Sequence, residues 1–343
     1  MTVEQIAPAE FRTALQDIFR KEWTPEFVRA RWDGGPDRAP DAWAALRGVG
    51  LAEIFLARDG EQPVVSGELR LVLAEEVARV LFPLPVAETL LVIGPILARS
   101  TQGFARDWLG RLAEGNAFGA LMLEDGKPVD EADTADFILA VRDDRFVLVE
   151  RERYRVEPVT TQDRARRAYR VEFATEDARA LDVGPELIDE AWTSMVKITA
   201  ARLLGVADVL FERTVGYVSQ RQQFGQPVGA FQSIQHRIAD VFVALELARA
   251  LVYEPADAVN AGRRPIAISA SAAKVQAATA ERLANREALQ LHGAMGFSWE
   301  YDLHFWLKHG KALEQEYGTV SAHLEVLAES CFEAAKTEIG KEI

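Results

Sequence analysis

The spacing of hydrophobic residues divides the chain into two helical regions with a shorter region of strands between them. Near the start, Phe11, Leu15 and Ile18 recur at three- and four-residue steps, the period of one face of an amphipathic helix. The same period returns up to about residue 118. From roughly 118 to 173, short β-branched and aromatic runs are separated by charged turns, which is typical of strands. The pattern therefore predicts a helical region followed by a small, mostly antiparallel β-region.

The C-terminal half returns to the helical period, and its segments are longer. Candidate helices run over 185 to about 224, 231 to near 260, 265 to near 291, and 321 to 339. A stripe of apolar residues on the second helix predicts a buried face: Phe231, Ile234, Ile238, Val241, Phe242 and Leu245. Four long amphipathic helices with short connections predict a bundle. The expected fold is mostly α, with an N-terminal helical domain over 1–118, a β-domain over 119–178 and a four-helix bundle over 179–343.

Several charged and polar groups are interpreted as structural. Glu75 and Glu76 are neighbours in a predicted helix and point about 100° apart, so they are not an acid/base pair and are expected to form a solvated or capping face. The run Arg164-Ala-Arg-Arg is expected to be a solvated turn of the β-region rather than an anion site. His292, His304 and His309 lack the spacing and carboxylate support of a metal site, so no metal is expected.

Composition narrows the class of protein. A chain of 343 residues exceeds what one compact core usually holds, which favours two or three domains. Acidic residues outnumber basic ones by 53 to 39, and the net charge of -14 disfavours a nucleic-acid or anionic-membrane partner. The single Cys331 excludes an internal disulfide. No signal-peptide-like run is seen, and the most apolar segment, 84–97, is too short to span a bilayer. We expect a cytoplasmic protein.

The most distinctive polar residues lie between the first two long helices of the C-terminal half. Gly225 can adopt the left-handed dihedral angles that end a helix, and Pro227 cannot continue one. Arg221 is a planar fork suited to phosphate oxygens, Phe224 is a flat apolar plate, and Gln232 offers a donor and an acceptor. Taken singly, each is more typical of structure, since the helix dipole alone favours an arginine in a last turn.

Taken together, Arg-x-x-Phe-Gly at 221–225 and the helix carrying Gln232 resemble the signature of the acyl-CoA dehydrogenase family. A second block, 289–297, resembles the family's Gln-x-x-Gly-Gly-x-Gly-Phe segment, with Ala294 replacing the second glycine. The order of helical domain, β-domain and bundle is also that of the family. The resemblance implies FAD, seated on a neighbouring subunit and contacted across the interface by Arg221, Phe224, Gln232, Gln290, Gly293, Ala294 and, near the adenosine end, Thr319.

The catalytic base of the family has no evident counterpart. The family's reaction removes a proton from the acyl α-carbon while the flavin accepts a hydride from the β-carbon, so it needs a carboxylate base. Most members use the Glu of a Glu-Gly-Thr segment; aligned on residues 318–319, this chain has Tyr317 there, and Glu316 comes one residue early. Such a slip turns a side chain by about 100° in helix-like backbone, so Glu316 is a poor substitute unless the loop is remodelled. The position used by other members, 26 residues before the motif arginine, holds Met195.

The β-region also departs from the family. The family's Thr-Glu-Pro-Gly-Ala-Gly-Ser-Asp-like loop and Trp-Ile-Thr-Asn segment, which hold the flavin ring, are missing; residues 121–128 lead directly to the strand at Phe137. The chain therefore resembles the shortened partner subunit of bacterial heterotetrameric (α2β2) acyl-CoA dehydrogenases of the steroid side-chain type, with a trimmed β-domain. That resemblance implies an acyl-CoA substrate, a catalytic acyl-CoA dehydrogenase subunit as partner, and an electron-transfer flavoprotein as acceptor.

Two alternatives remain open at this point. The chain could be a self-sufficient homotetrameric dehydrogenase with Glu316 or Glu254 as a relocated base, although Glu254 precedes Pro255, where helices tend to end. It could instead be a flavin-free scaffold that binds acyl-CoA or a partner protein. The presence of both Arg221 and the Gln290 block argues against the scaffold.

Overall fold

The computed structural model describes residues 6–35, 37, 39–56, 65–254 and 266–339, with side chains described as far as Phe332. The chain divides into two compact units, Met1–Met195 and Val196–Ile343. The boundary between the units falls inside one long helix, Glu186–Gln220. The three-domain division expected from the sequence stays a prediction.

The first unit begins with short helices, as the sequence predicts. They are α1 (Pro8–Glu22), α2 (Pro25–Trp32), α3 (Ala39–Gly48), α4 (Leu51–Phe55), α5 (Gly67–Arg79), α6 (Val86–Glu88), α7 (Gly94–Arg99) and α8 (Gly103–Ala113), with a π-helical turn at Thr89–Ile93 between α6 and α7. Proline stands in the first turn of α1, α2 and α7, where its fixed φ suits a helix and its missing N–H is not needed.

Helix α5 is buried over most of its length, and it corrects one expectation. Glu75 and Glu76 are both buried, and Arg12 of α1 donates hydrogen bonds to both carboxylates, to Glu75 Oε1 at 2.5 Å. The expectation that these two carboxylates are solvated was wrong. The reason is tertiary: α1 brings a guanidinium against α5, and a carboxylate that has such a partner can be buried.

The β-region contains two sheets, in agreement with the predicted strands. The strands are β1 (Gly119–Met122), β2 (Val129–Asp130), β3 (Phe137–Arg142), β4 (Arg145–Glu150), β5 (Arg155–Val159), β6 (Ala168–Glu172) and β7 (Arg179–Ala180). One sheet has the order β1-β3-β4-β7 and the other β2-β6-β5. Within these sheets only β1 and β3 pair in parallel. Asp143 and Asp144 both have positive φ, which suits the two-residue loop of the β3–β4 hairpin.

A buried ion cluster ties α2 to the β-region. The guanidinium of Arg31 binds the carboxylates of Asp37 and Glu131. Glu131 also accepts from the backbone N–H of Arg167 at 3.0 Å, and the Arg167 side chain pairs with Asp37 at 3.2 Å. Burial raises the pKa of Glu131 to about 7, against the opposing effect of Arg31. The expectation that 164–167 is a solvated run was wrong for Arg166 and Arg167, which are half-buried and pair with Asp130 and Asp37 from other segments.

The second unit contains the long helices: α9 (Glu186–Gln220, which begins in the first unit), α10 (Gln232–Val252), α11 (Ile266–Leu291), α12 (Leu303–Leu313) and α13 (Val320–Ile339). The four predicted long helices are confirmed, whereas α12 was not predicted. The second helix was predicted to end near residue 260, which lies outside the described residues. The described helix ends at Val252.

The connection between α9 and α10 is a hairpin, which corrects the role given to Gly225. Helix α9 already ends at Gln220, and strands β8 (Gln222–Gln223) and β9 (Gln226–Pro227) pair antiparallel. Phe224 and Gly225 form the loop with φ of 53° and 80°, the signs that a type I′ turn requires. The left-handed conformation of Gly225 is therefore confirmed, but it closes a hairpin rather than a helix.

The apolar stripe on α10 is only partly covered, which corrects a second expectation. Val241 and Leu245 are buried, but the side chain of Phe242 is 50% exposed and Ile234 and Ile238 are half-buried. Within the described part of the second unit, an open groove of about 580 Å³ remains between α9 and α10. Its apolar lining includes Phe211, Val215, Val218, Pro227, Ile238 and Phe242. The pattern located the apolar face correctly but did not show that this chain leaves part of it open.

Candidate functional site

The two motif blocks meet through one aromatic stack. Tyr217, in the last turn of α9, stacks on His292 with ring centroids 4.4 Å apart. His292 is buried, and its Nδ1 donates to the carbonyl of Ala288 at 2.7 Å, which leaves Nε2 to accept from the Tyr301 hydroxyl at 3.4 Å. Burial lowers the pKa of His292. The stack therefore brings the end of α9, with Arg221, beside the 3₁₀ turn that follows α11.

The side chains predicted to contact FAD are all solvent-exposed: Arg221, Phe224, Gln232, Gln290, Gly293, Ala294 and Thr319. Phe224 is 92% exposed, with its ring edge towards Phe231 at a centroid distance of 6.2 Å. The guanidinium of Arg221 forms no ion pair with any residue that the structure describes. We call the surface formed by Arg221, Phe224, Gln232, Gln290 and the exposed residues of the 293–297 turn the polar corner.

The two glycines of the second block, Gly293 and Gly296, differ in the space that a side chain would find there. A Cβ on Gly296 would lie 2.8 Å from the carbonyl oxygen of Leu289, so the packing of this chain itself requires glycine there. A Cβ on Gly293 would have no atom within 4 Å. Room therefore remains above Gly293 for the close approach of an external group.

Thr319 lies apart from the other six residues. Its hydroxyl accepts from Ala322 N at 3.3 Å, so it caps the start of α13. One turn further, His323 contacts Ser271 on α11 at 3.0 Å. Ser271 and Gln290 belong to the same helix, and their separation of 19 positions corresponds to about 28 Å along its axis. The structure brings six predicted residues to one corner and places Thr319 elsewhere on the unit.

Neither position examined for a catalytic base holds a carboxylate. Met195 is fully buried, and a thioether cannot act as a base. Tyr317 is half-buried in the left-handed region, with φ of 50°. Glu316 is also half-buried, and its backbone carbonyl accepts a hydrogen bond at 2.9 Å from Lys274.

Glu254, the other carboxylate considered as a base, takes part in contacts between helices. Its Oε2 accepts from the hydroxyl of Ser269 on α11 at 2.7 Å. Its backbone carbonyl accepts from Lys197 on α9 at 3.3 Å. Glu254 therefore links the end of α10 to two neighbouring helices, which favours a structural role; whether it serves as a base stays untested.

Sequence reasoning missed two buried polar groups in the second unit. Lys274 is fully buried and donates to the carbonyls of Leu313 and Glu316. His323 is buried and hydrogen-bonds the carbonyl of Tyr317 at 2.9 Å. For Lys274 a signal existed, since it is a lone charge in the alanine-rich stretch 267–280, where small apolar neighbours indicate burial.

A pair of carboxyl groups joins α11 to the end of α12. Glu281 is fully buried, and its burial, together with a hydrogen bond to Glu314, raises its pKa to about 8. Asn285 donates to Glu281 at 2.7 Å, and Lys311 donates to Glu314 at 2.7 Å. A Cβ on Gly310 would lie 2.0 Å from Glu281 Oε1, so only glycine leaves room for this carboxyl.

Two features are absent from the part of the chain that the structure describes. There, no group of three or more His, Cys, Asp or Glu residues is placed to hold a metal ion. Among the described helices, none combines the length and the apolar character that crossing a membrane requires.

Comparisons with known proteins agree with the two motif blocks. Residues 194–332 match the family model "Acyl-CoA dehydrogenase, C-terminal domain". Acyl-CoA dehydrogenase IpdE2 of Mycobacterium tuberculosis is 32% identical to this chain over 316 residues, which covers 90% of this chain and 93% of the relative. The chain belongs to the acyl-CoA dehydrogenase family, whose members are flavoproteins that bind FAD.

Solved structures share the fold over nearly the whole length. The Tcur3481–Tcur3483 steroid ACAD has a TM-score of 0.84 at 24% identity, and the match covers 96% of this chain and 98% of the chain in that structure. A chain of the ChsE4–ChsE5 complex from Mycobacterium tuberculosis has a TM-score of 0.84 at 19% identity, and the match covers 97% of this chain and 99% of that chain. The predicted mostly α fold and the resemblance to the acyl-CoA dehydrogenase family are confirmed.

The chemistry of the polar corner fits part of FAD. A guanidinium and two primary amides supply donors for the pyrophosphate oxygens, and the Phe224 ring offers an apolar face. These groups are exposed, so they can meet a ligand without rearrangement of the fold. Arg221, Phe224, Gln232 and Gln290 would hold the adenosine-pyrophosphate half.

Proposed function

We propose that this chain is the non-base subunit of a heteromeric, FAD-dependent acyl-CoA dehydrogenase that converts an acyl-CoA thioester to its 2-enoyl form. It supplies the adenosine-pyrophosphate side of FAD sites seated on a catalytic acyl-CoA dehydrogenase subunit in an α2β2 assembly. The observation that carries the proposal is the outward-facing polar corner, found in a chain that has Tyr317 and Met195 where the family places its base.

The conformation of Phe224 supports an external ligand at the corner. Its ring is 92% exposed and its backbone is left-handed, a conformation that non-glycine residues rarely adopt. Both features are unfavourable for an isolated chain, because an exposed ring is hydrated and the backbone is strained. A cofactor that covers the ring and binds Arg221 beside it would offset both costs.

The absence of a carboxylate at the family's base positions supports divided labour. Removal of the α-proton needs a base within reach of the substrate; a thioether does not take up a proton, and a neutral phenol is a much weaker base than a carboxylate. In the proposed complex the catalytic subunit supplies that base and binds the flavin ring. This chain then contributes binding energy and orientation.

The similar structures suggest the substrate class and the assembly. One is described as a steroid ACAD and another as a complex of two differently named chains. By analogy, we propose a steroid-derived CoA thioester as substrate and an electron-transfer flavoprotein as acceptor, with the complex acting in the cytoplasm.

The flavin content of purified protein tests the proposal. The chain is expressed alone and then with a full-length acyl-CoA dehydrogenase paralogue, and FAD is counted per polypeptide by absorbance. The expected result is a colourless single chain and a yellow, active complex with one FAD per pair of unlike subunits. A yellow and active preparation of the single chain would contradict the proposal, and a flavin-free complex would favour a scaffold.

Substituting Glu316→Gln in the active complex tests the remaining carboxylate. The amide keeps the size of the side chain but cannot accept the α-proton, so unchanged turnover is expected if the base belongs to the partner. A loss of turnover without loss of FAD would favour a self-sufficient enzyme that uses Glu316.

A further inference from the structure

Three aromatic rings lie beside the polar corner, and the proposed function gives them no role. Tyr217, in the last turn of α9, stacks on His292 with ring centroids 4.4 Å apart and an angle of 27° between the planes. The ring centroid of Tyr301 lies 5.3 Å from that of His292 and 6.5 Å from that of Tyr217. These distances are within the range of aromatic contacts, so each ring packs near both others. We call Tyr217, His292 and Tyr301 the ring cluster.

The ring cluster joins the polar corner from the side of α9. Arg213, Tyr217 and Arg221 follow one another at four-residue steps, so they share one side of the helix. The guanidinium of Arg213 lies over the ring of Trp306 on α12, 4.0 Å from its centroid. The N–H of Arg221 donates to the carbonyl of Tyr217 at 2.9 Å, so the helical turn continues to the motif arginine. The contacts of Arg213 and Tyr217 thus fix the rotation of α9 about its axis and the point from which Arg221 projects.

The ring cluster also closes the base of the loop that carries the second block. His292 stands directly before the turn at 293–297, and Tyr301 stands four residues after that turn. The residues between these two rings are largely exposed. The contact between His292 and Tyr301 joins the two ends of the loop, and the stack on Tyr217 ties both ends to α9. The exposed part of the second block is therefore held in one place relative to Arg221.

Histidine gives the cluster directed hydrogen bonds that packing alone does not need. Its Nδ1 donates to the carbonyl of Ala288 at 2.7 Å, so its Nε2 accepts from the hydroxyl of Tyr301 at 3.4 Å. Burial lowers the pKa of His292, and the guanidinium of Arg213 lowers it further, so the ring is neutral at neutral pH and keeps its acceptor. One edge of the imidazole thus binds α11 and the other binds the far end of the loop. Leucine would fill a similar volume but form neither bond.

The exposed groups of the polar corner do not fix one another. Arg221 has no ion-pair partner among the described residues, and the side chain of Phe224 is 92% exposed. Their positions relative to the 293–297 turn therefore depend on the backbone that carries them. A ligand that contacts both blocks binds more tightly when that backbone is already in place, because less conformational freedom is lost on binding.

We propose that Tyr217, His292 and Tyr301 are positioning residues that hold Arg221 and the 293–297 turn in one relative position, so that the pyrophosphate half of FAD can contact both at once. This inference rests on the proposed function and deepens it. The residues of the ring cluster act from behind the corner, through the backbone of α9 and of the loop, and need not touch the cofactor.

Titration of the flavin-depleted complex with FAD tests this role. His292→Leu removes both hydrogen bonds, and the dissociation constant for FAD is expected to rise about tenfold. His292→Gln offers Tyr301 an amide oxygen and is expected to stay within about threefold of the parent. Phe211→Leu is the matched control, since it removes another half-buried ring of α9, one that packs on Phe242 of α10. Unchanged affinity in His292→Leu would overturn the role, and so would an equal loss in either of the other two variants.

Amide hydrogen exchange in the full chain gives a readout without flavin. Tyr301→Phe keeps all three rings and removes only the hydroxyl that His292 accepts, so this variant is expected to fold. Exchange over 293–301 should become about threefold faster in Tyr301→Phe and about tenfold faster in His292→Leu. Unchanged exchange in Tyr301→Phe would show that the hydroxyl does not hold the loop, and would overturn the role even if His292→Leu failed to fold.

A double-mutant cycle shows whether the cluster acts through Arg221. If it does, His292→Leu should weaken FAD binding by about threefold or less in the Arg221→Ala background, against about tenfold in the parent. Losses that simply multiply would mean that the two residues act independently, and would overturn the positioning role.

The single variants separate this inference from the proposed function. If Arg221→Ala weakens FAD binding and His292→Leu does not, the ring cluster has no positioning role and the proposed function stands. If Arg221→Ala retains FAD as tightly as the parent, the proposed function fails, and the positioning role fails with it.

Discussion

Two arginines show how the closed and open polar regions of this molecule differ. The side chain of Arg31 is 1% exposed; it binds the carboxylates of Asp37 and Glu131 and donates to the carbonyl of Ala165 at 2.7 Å. Arg221 is exposed and has no ion-pair partner among the described residues. Among the described residues, each guanidinium nitrogen of Arg31 has a hydrogen-bond acceptor, whereas the guanidinium of Arg221 has none. We infer that the first stabilises the chain and the second acts on something outside it.

The strongest test of this comparison is the same substitution at both arginines. Arg31→Met leaves the buried Glu131 carboxylate without its cation, and we expect the free energy of unfolding to fall by about 3–5 kcal/mol. Arg221→Met removes no contact within the described chain, and a change within about 0.5 kcal/mol is expected. Urea denaturation of the two variants measures the difference. Equal losses would show that Arg221 has a structural partner in this chain.

The open arginine is expected to matter in the complex. Arg221→Ala should weaken FAD binding about 10- to 150-fold, because a charge-assisted hydrogen bond contributes about 1.5–3 kcal/mol. The FAD affinity of Arg221→Lys should lie between those of the parent and Arg221→Ala, since an ammonium keeps the charge but cannot form the planar two-point contact. Titration of the flavin-depleted complex with FAD gives the dissociation constants. Arg20→Ala is the control, because Arg20 is an exposed arginine that pairs with Asp17 on the same helix. A matching loss of affinity in this variant would indicate a non-specific charge effect.

Two left-handed glycines extend the comparison to the backbone. Gly225 has open space around it, whereas a Cβ on Gly318 would meet His323. Gly225→Ala should therefore cost only the backbone term, about 1–2 kcal/mol. Gly318→Ala should cost about 1–3 kcal/mol more, because the histidine must also move. The unfolding free energies of the isolated chain decide this, and equal costs would mean that His323 does not crowd Gly318.

The last expected effect depends on pH and concerns a closed group in the second unit. Burial raises the pKa of Glu281 to about 8, above that of the unfolded chain, so its protonated form stabilises the fold. This stabilisation is fully present below the pKa that Glu281 has in the unfolded chain, and it is lost as the pH rises to about 8. Over that range the free energy of unfolding falls by at most about 1.4 kcal/mol per pH unit. In Glu281→Gln the amide donates to Glu314 at every pH, so that part of the pH dependence should disappear. Urea midpoints at pH 6, 7, 8 and 9 measure it, and parallel curves for the two proteins would contradict the shared proton.

The helices and strands were largely predictable because their signals are local. The helical period located α9, α10 and α11, and short β-branched and aromatic runs located β3 and β4. The hairpin at 222–227 was missed because Gly225 has the same left-handed preference in a helix end and in a type I′ turn. Only the paired backbone of the folded chain distinguishes the two.

The candidate site was predictable only in part. Arg221, Phe224 and Gln290 were located by their resemblance to family motifs, and the structure adds that they share an exposed corner. The buried hydrogen bonds of Lys274 were not predicted, because this lysine meets its partners 39 and 42 residues later in the chain. Contacts at that separation depend on how the helices pack, which the helical period does not specify.

The sequence by itself determined the order of helices and strands, the family, and the lack of a carboxylate at the positions where that family keeps its base. These properties depend on local periodicity and on the identity of single residues. Tertiary structure decided which charges are enclosed and which are presented outward: Glu75 is buried against Arg12, while Phe224 and Arg221 remain open. The physical reason is that burial and pairing depend on distances between distant segments, and those distances exist only once the chain has folded.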